Sequence, residues 1–93
     1  MNPLRTMAEK FKSPSALRDF ALETAAQLQA TGQSEACEIM EAAATFVTGS
    51  GWEWLGELGA AASSIRERFS VSDLVAARLA RIREAATSQR PYG

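Results

Sequence analysis

The sequence predicts an all-α protein, a compact bundle of antiparallel helical hairpins with four main helices and a short N-terminal helix. Three observations carry that expectation. Apolar residues recur at spacings of three and four through successive stretches, the repeat that keeps one face of a helix dry. Serine, glycine and proline signals punctuate the chain between those stretches, as helix caps do. No stretch carries a competing strand signal.

Asn2-Pro3 pairs an N-cap residue with proline at the first helical position, so a short helix is expected from about Pro3 to Phe11. Leu4, Met7, Ala8 and Phe11 would form its stripe, and residues 1–12 could pack on the bundle or stand off as an arm. Ser13-Pro14 repeats the signal and opens a longer helix to about Ala30, with Leu17, Phe20, Ala21, Thr24 and Leu28 inward. Thr31-Gly32 closes it, because glycine readily adopts the left-handed conformation of a helix terminus. Ser34 is expected to cap the next helix. Ala36, Ile39, Met40, Ala43, Phe46 and Val47 line its apolar side, and Glu35, Glu38 and Glu41 its wet side.

Thr48-Gly49-Ser50-Gly51 breaks that pattern, and Ser50 followed by Glu53 has capping-box spacing. A helix therefore begins at Gly51 or Trp52, with the stripe Leu55, Leu58, Ala62, Ile65 and Phe69. Gly56 and Gly59 lie inside it, each costing about 1 kcal/mol relative to alanine. With Ala60, Ala61 and Ala62 they make a small-residue surface on which a neighbouring helix can come close. Ser70-Val71-Ser72-Asp73 offers two overlapping caps for the last helix, striped by Val75, Leu79, Ile82 and Ala86 with Leu74 beside them. The pattern fades near Ser88, and residues 89–93 read as a frayed tail. Connections of about two to four residues favour antiparallel neighbours.

At 93 residues and 46% hydrophobic content the chain fits one globular domain. No apolar run reaches the ~20 residues of a membrane span, and the charged start has no signal-peptide centre. The single cysteine, Cys37, forms no intramolecular disulfide, so a reducing cytoplasm is the expected compartment. Net charge is −1 but unevenly spread. Between Arg18 and Arg66 there is no Lys or Arg, while Asp19, Glu23, Glu35, Glu38, Glu41, Glu53 and Glu57 all lie there. Arg66, Arg68, Arg78, Arg81, Arg83 and Arg90 reverse the balance afterwards. The economical reading is mutual neutralisation, within the fold or across a dimer.

Histidine is absent, which removes His-based acid–base chemistry, Ser-His and Cys-His nucleophile pairs and the usual zinc and iron ligand sets. Cys37 falls at the edge of an apolar helix face and reads as a packing residue. Glu53/Glu57 and Glu38/Glu41 share helix faces but lack the Glu-x-x-His motifs of di-metal bundles, so they read as solvated acids. Gly49-Ser50-Gly51 completes no dinucleotide fingerprint or nucleophile elbow, because Trp54 and Thr48 stand where glycines are required, and no phosphate loop, because the Gly-Lys-Ser or Gly-Lys-Thr ending is missing. No metal and no cofactor is expected, and no enzymatic activity.

Arg78 and Arg81 share a face of the last helix, as in a helix that reads a DNA groove. A pI near 5.4 and the acids elsewhere disfavour phosphate binding, so nucleic-acid regulation stays the alternative reading. Trp52 and Trp54 stand about 200° apart on a helix and cannot both face one core. Either one of them stands at the rim, where tryptophan is enriched in binding hot spots, or both are covered within the fold, one over each neighbouring helix. Trp52-x-x-Leu55-Gly56 also resembles the opening of a tetratricopeptide repeat, which implies stacked helical hairpins. The resemblance stops at Gly59, where the repeat has an aromatic, and the hairpin from Pro14 to Thr48 holds no copy.

The sequence thus points to a small non-enzymatic protein that binds another protein or itself as a homodimer: an adaptor, a chaperone or an immunity-type inhibitor. Its candidate partner-binding residues are Trp52, Trp54, Gly56, Gly59, Arg78 and Arg81.

Overall fold

A helix forms where a cap ends the preceding chain and an apolar stripe finds a partner; among the described residues four stripes find partners and three of the four helices have a side-chain cap. The computed structural model describes residues 10–93. Its helices are α1 (Pro14–Ala30), α2 (Ser34–Ala44), α3 (Gly51–Arg68) and α4 (Asp73–Thr87). The helix expected over Pro3 to Phe11 lies outside the described residues up to position 9, and Phe11 itself is not helical.

Ser13 caps α1, its hydroxyl accepting from the Ala16 N–H at 3.1 Å, with Pro14 in the first turn. At the other end Gly32 takes φ +83°, and the N–H groups of Gly32 and Gln33 return to the carbonyls of Gln29 and Leu28. This paired closure satisfies two carbonyls that the helix end leaves free. It also shifts the start of α2. The N-cap is Gln33, without a side-chain hydrogen bond, and Ser34 is already helical, contrary to the expected Ser34 cap. The Gln33 amide instead donates across the bundle to the Ser70 carbonyl.

The second correction concerns the end of α2, which stops at Ala44 and does not carry Phe46 and Val47 on its buried side. The Thr45 hydroxyl donates to the Glu41 carbonyl at 2.8 Å, and the Trp54 indole N–H donates to that of Ala44 at 3.0 Å. The Glu41 carbonyl still accepts the Thr45 N–H at 3.0 Å, but that of Ala44, which a further helical turn would have used, is taken by the indole. The β-branched and aromatic run that follows gains little from helix formation. Phe46 and Val47 therefore sit in an exposed connection, 45–50, longer than the two to four residues expected.

Ser50 opens α3 as expected, accepting from the Glu53 N–H, but its own N–H goes to the Thr48 hydroxyl, so only half of the capping box forms. For α4 the chain uses the second of its two overlapping caps, Ser72, which accepts from the Val75 N–H at 3.2 Å. Leu74 lies outside the core, at 64% exposure.

Cross-helix contacts fix the layout. Pro14 and Arg18 lie near Ala44 and Thr45; Glu35 pairs with Arg68; Gly59 faces Ala86; Thr24 meets Arg78. Each helix thus runs antiparallel to the next, and α4 returns beside α1 to close an up-down-up-down ring. Leu17, Leu28, Met40, Leu58, Ile65, Leu79 and Ile82 fill the centre. Alanines (Ala21, Ala25, Ala36, Ala44 and Ala62 among them) occupy many of the other core positions, which keeps the helices close. The radius of gyration, 12.6 Å, is near the ~12 Å expected of a compact chain of this length.

The tail is a third correction. Tyr92 forms an isolated parallel bridge with Phe11, and the Gly93 N–H donates to the Phe11 carbonyl at 2.9 Å. Ring closure brings the start of α1 and the end of α4 together, so residues that read as frayed find a backbone partner. Phe11 is buried and Tyr92 half-buried against the core, and burial pushes the Tyr92 phenol up from its ordinary value.

Candidate functional site

The six sequence-derived residues fall into three different settings. Trp54 turns inward, half-buried, with its indole on the Ala44 carbonyl, while Trp52 is 65% exposed. Of the two arrangements open to the pair, the structure shows the divided one, with Trp52 as the outer member. Gly59 faces α4, where an added Cβ would lie 2.9 Å from the Ala86 Cβ. Gly56, one turn earlier, is exposed and has open space at the same position. Together with Ala60, Ser63, Arg83 and Thr87 these glycines line a shallow groove of about 220 Å³.

Arg78 and Arg81 turn toward α1. The Arg78 guanidinium donates from Nε to the Thr24 hydroxyl at 2.9 Å. It also donates to the Phe20 carbonyl and pairs with Glu23, both at 3.2 Å. Its Cζ stands 3.9 Å from the centre of the Phe20 ring. Arg81 stacks over Phe11 at 4.3 Å, and Phe11 meets Phe20 edge-on at 5.1 Å. These contacts stitch α1 to α4 and use the charges that a nucleic-acid reading would need at the surface. Glu35 and Arg68 make a second cross-helix pair at 2.9 Å. The uneven charge distribution is thus partly neutralised inside the fold.

The surface that sequence periodicity missed is the end of the bundle between α2 and α3. Phe46 (42% exposed) and Val47 (92%) lie in the connection there, and Trp52 in the first turn of α3. Phe46 and Val47, though not Trp52, line a cavity of about 310 Å³ together with Arg18, Thr45, Thr48, Ser50 and Trp54 among others. Glu41 on α2 and Glu53 and Glu57 on α3 are exposed, but none of them lines the cavity, whose one charged lining residue among those described is Arg18. A signal was present in the sequence: the poor helix formers after Ala44 argue against extending α2 through Val47.

A further groove of about 400 Å³, largely apolar, runs along α4 past Phe20, Leu74, Ala77, Ala80, Arg81 and Glu84. Among the described residues no group of three His, Cys, Asp or Glu side chains is placed to hold a metal ion. No helix among them is long and apolar enough to cross a membrane. Cys37 is buried and unpaired, and burial followed by the nearby Glu41 and Glu38 carboxylates pushes its thiol up.

That shift has a measurable sign. A thiol whose folded pKa lies above its unfolded value contributes a pH dependence in which stability falls once pH passes the unfolded value, ~8.5. Alkylation of Cys37 at pH 8 should be many-fold slower in the native protein than in urea. Equal rates in the two states would contradict the buried, charge-shielded environment.

Comparison with family models, curated proteins and solved structures yields no match to this chain. The tetratricopeptide resemblance of Trp52-x-x-Leu55-Gly56 accordingly gains no family from it.

Proposed function

We propose that this small helical protein is non-enzymatic and acts by binding another protein through the Phe46–Val47–Trp52 edge, as an adaptor, chaperone or inhibitor. The observation that supports this most is the exposure of three large apolar side chains at one end of a bundle whose core is otherwise closed. Exposed aromatic residues beside a cavity are the usual anchors of protein interfaces. The chain already uses Trp54, Gly59, Arg78 and Arg81 for its own packing. Trp52 has no such internal role and is the anchor of this reading. A reducing cytoplasm suits it, since Cys37 then stays a thiol.

The test is retention from source-cell lysate on the immobilised chain. Proteins held by the wild type should be lost with Trp52→Ala and kept with Leu74→Ala, which removes an exposed leucine on another face. Light scattering on the same proteins separates a foreign partner from a second copy. Retention that survives Trp52→Ala contradicts the reading.

A further inference from the structure

We infer that the outer face of α4 pairs with the same face of a second copy of this chain, antiparallel and centred on Ala77. The Trp52 edge takes no part in this contact. Leu74, Ala77, Ala80, Arg81 and Glu84 line the apolar groove of about 400 Å³ that α4 forms with Phe20 of α1. Buried Val75, Leu79 and Ile82 turn the other side of the helix into the core, so this face looks outward.

The relief of the face fits itself. Leu74, 64% exposed, projects from it, while Ala77 and Ala80, both exposed, leave hollows. Two antiparallel helices that cross at Ala77 bring residue 74 of each opposite residue 80 of the other. Each Leu74 then enters the groove between Ala77 and Ala80 of the second copy. On the two-fold axis Ala77 meets Ala77, and no large side chain holds the backbones apart.

Charge follows the same symmetry. Asp73 and Arg81 stand four residues either side of Ala77, so the pairing sets each carboxylate against the opposing guanidinium. Neither residue forms an ion pair among the described residues, and Asp73 is exposed. Stacking on Phe11 and Phe20 orients Arg81 without giving it a counter-charge. Glu84 falls opposite the N-terminus of the second α4, whose positive dipole end favours an acid. Parallel pairing would instead set Asp73 against Asp73 and Arg81 against Arg81. A contact of about three helical turns is small for a specific interface, below about 1,200 Å² in total, so the dimer is weak and concentration-dependent.

Sedimentation velocity on the full chain, from micromolar to millimolar concentration, tests this. The wild type should pass from monomer to dimer over that range and stop at two copies. Ala77→Glu, which places two carboxylates on the axis, should stay monomeric throughout, as should Leu74→Asp. Asp73→Arg should weaken association about tenfold, whereas Trp52→Ala should change it less than twofold. All three α4 positions are exposed in the single chain, so these variants keep the fold, which circular dichroism checks.

A wild type that stays monomeric, a dimer that Ala77→Glu or Asp73→Arg leaves intact, or assembly beyond two copies overturns the inference. Loss of the dimer with Trp52→Ala would move self-association to the Trp52 edge and also overturns it. Retention of lysate proteins through Trp52 is read separately, so a failed dimer and a failed Trp52 surface are told apart.

Discussion

Gly59→Leu is expected to destabilise the protein by about 2–3 kcal/mol, whereas Gly56→Ala should stabilise it by about 0.5–1 kcal/mol. Both glycines lie in α3 one turn apart and carry the same intrinsic penalty for helix formation. Their surroundings differ. A Cβ at position 59 would stand 2.9 Å from the Cβ of Ala86, a side-chain atom with no rotamer by which to move away, so the helices must separate or rotate to admit a side chain. A Cβ at position 56 meets nothing within 4 Å. Thermal unfolding reads both effects, since 1 kcal/mol moves Tm by roughly 4–8 °C in a domain of this size. If the two variants moved Tm in the same direction, the close α3–α4 approach at Gly59 would be wrong.

Arg78→Ala is the second large effect, about 2–3 kcal/mol destabilising. The lost interactions include hydrogen bonds from a charged donor, worth about 1.5–3 kcal/mol, and a ring contact of about 0.5–1 kcal/mol, which are not additive. The Arg78 side chain is only 17% exposed, so solvent screens these contacts little. Glu23, at 69% exposure, contributes the small remainder. Arg78→Lys should recover less than half of the stability, because an ammonium cannot reach the Thr24 hydroxyl and the Phe20 carbonyl in one planar fork while stacking on the ring. Arg68→Ala is the control. Its pair with Glu35 is 54% and 67% exposed, and its removal should cost about 0.5 kcal/mol or less. Equal losses for Arg78→Ala and Arg68→Ala in denaturant melts would mean that Arg78 does not join α1 to α4.

These variants also show what local sequence could and could not specify. Ser13, Ser50 and Ser72 cap the helices that the sequence assigns to them, and Gly32 ends α1, because capping depends on neighbours a few residues away. The end of α2 depends on a distant group. Apolar spacing runs on through Phe46 and Val47, but the indole of Trp54 takes the Ala44 carbonyl, an event that no window around Val47 contains. Tyr92 was opaque for a similar reason, since its bridge to Phe11 exists only once α4 has returned beside α1. The charge asymmetry foretold neutralisation but could not say that Arg78 would choose Glu23 or Arg68 choose Glu35.

The candidate surface follows the same division. Opposed directions for Trp52 and Trp54 were readable from helix geometry, whereas the identity of the outer one depended on which indole met the end of α2. Gly56 and Gly59 read alike as small residues, yet one meets α4 and the other meets solvent. Phe46 and Val47 entered the surface only when α2 ended early.

The most direct measurement places a photo-crosslinking amino acid at position 52 in the source cell, with position 67, an exposed glutamate near the far end of α3, as the reference. A surface built for a protein partner predicts one discrete adduct from position 52 and none from position 67. No adduct from 52, or the same adducts from both, would contradict the claim that this edge is where the protein acts.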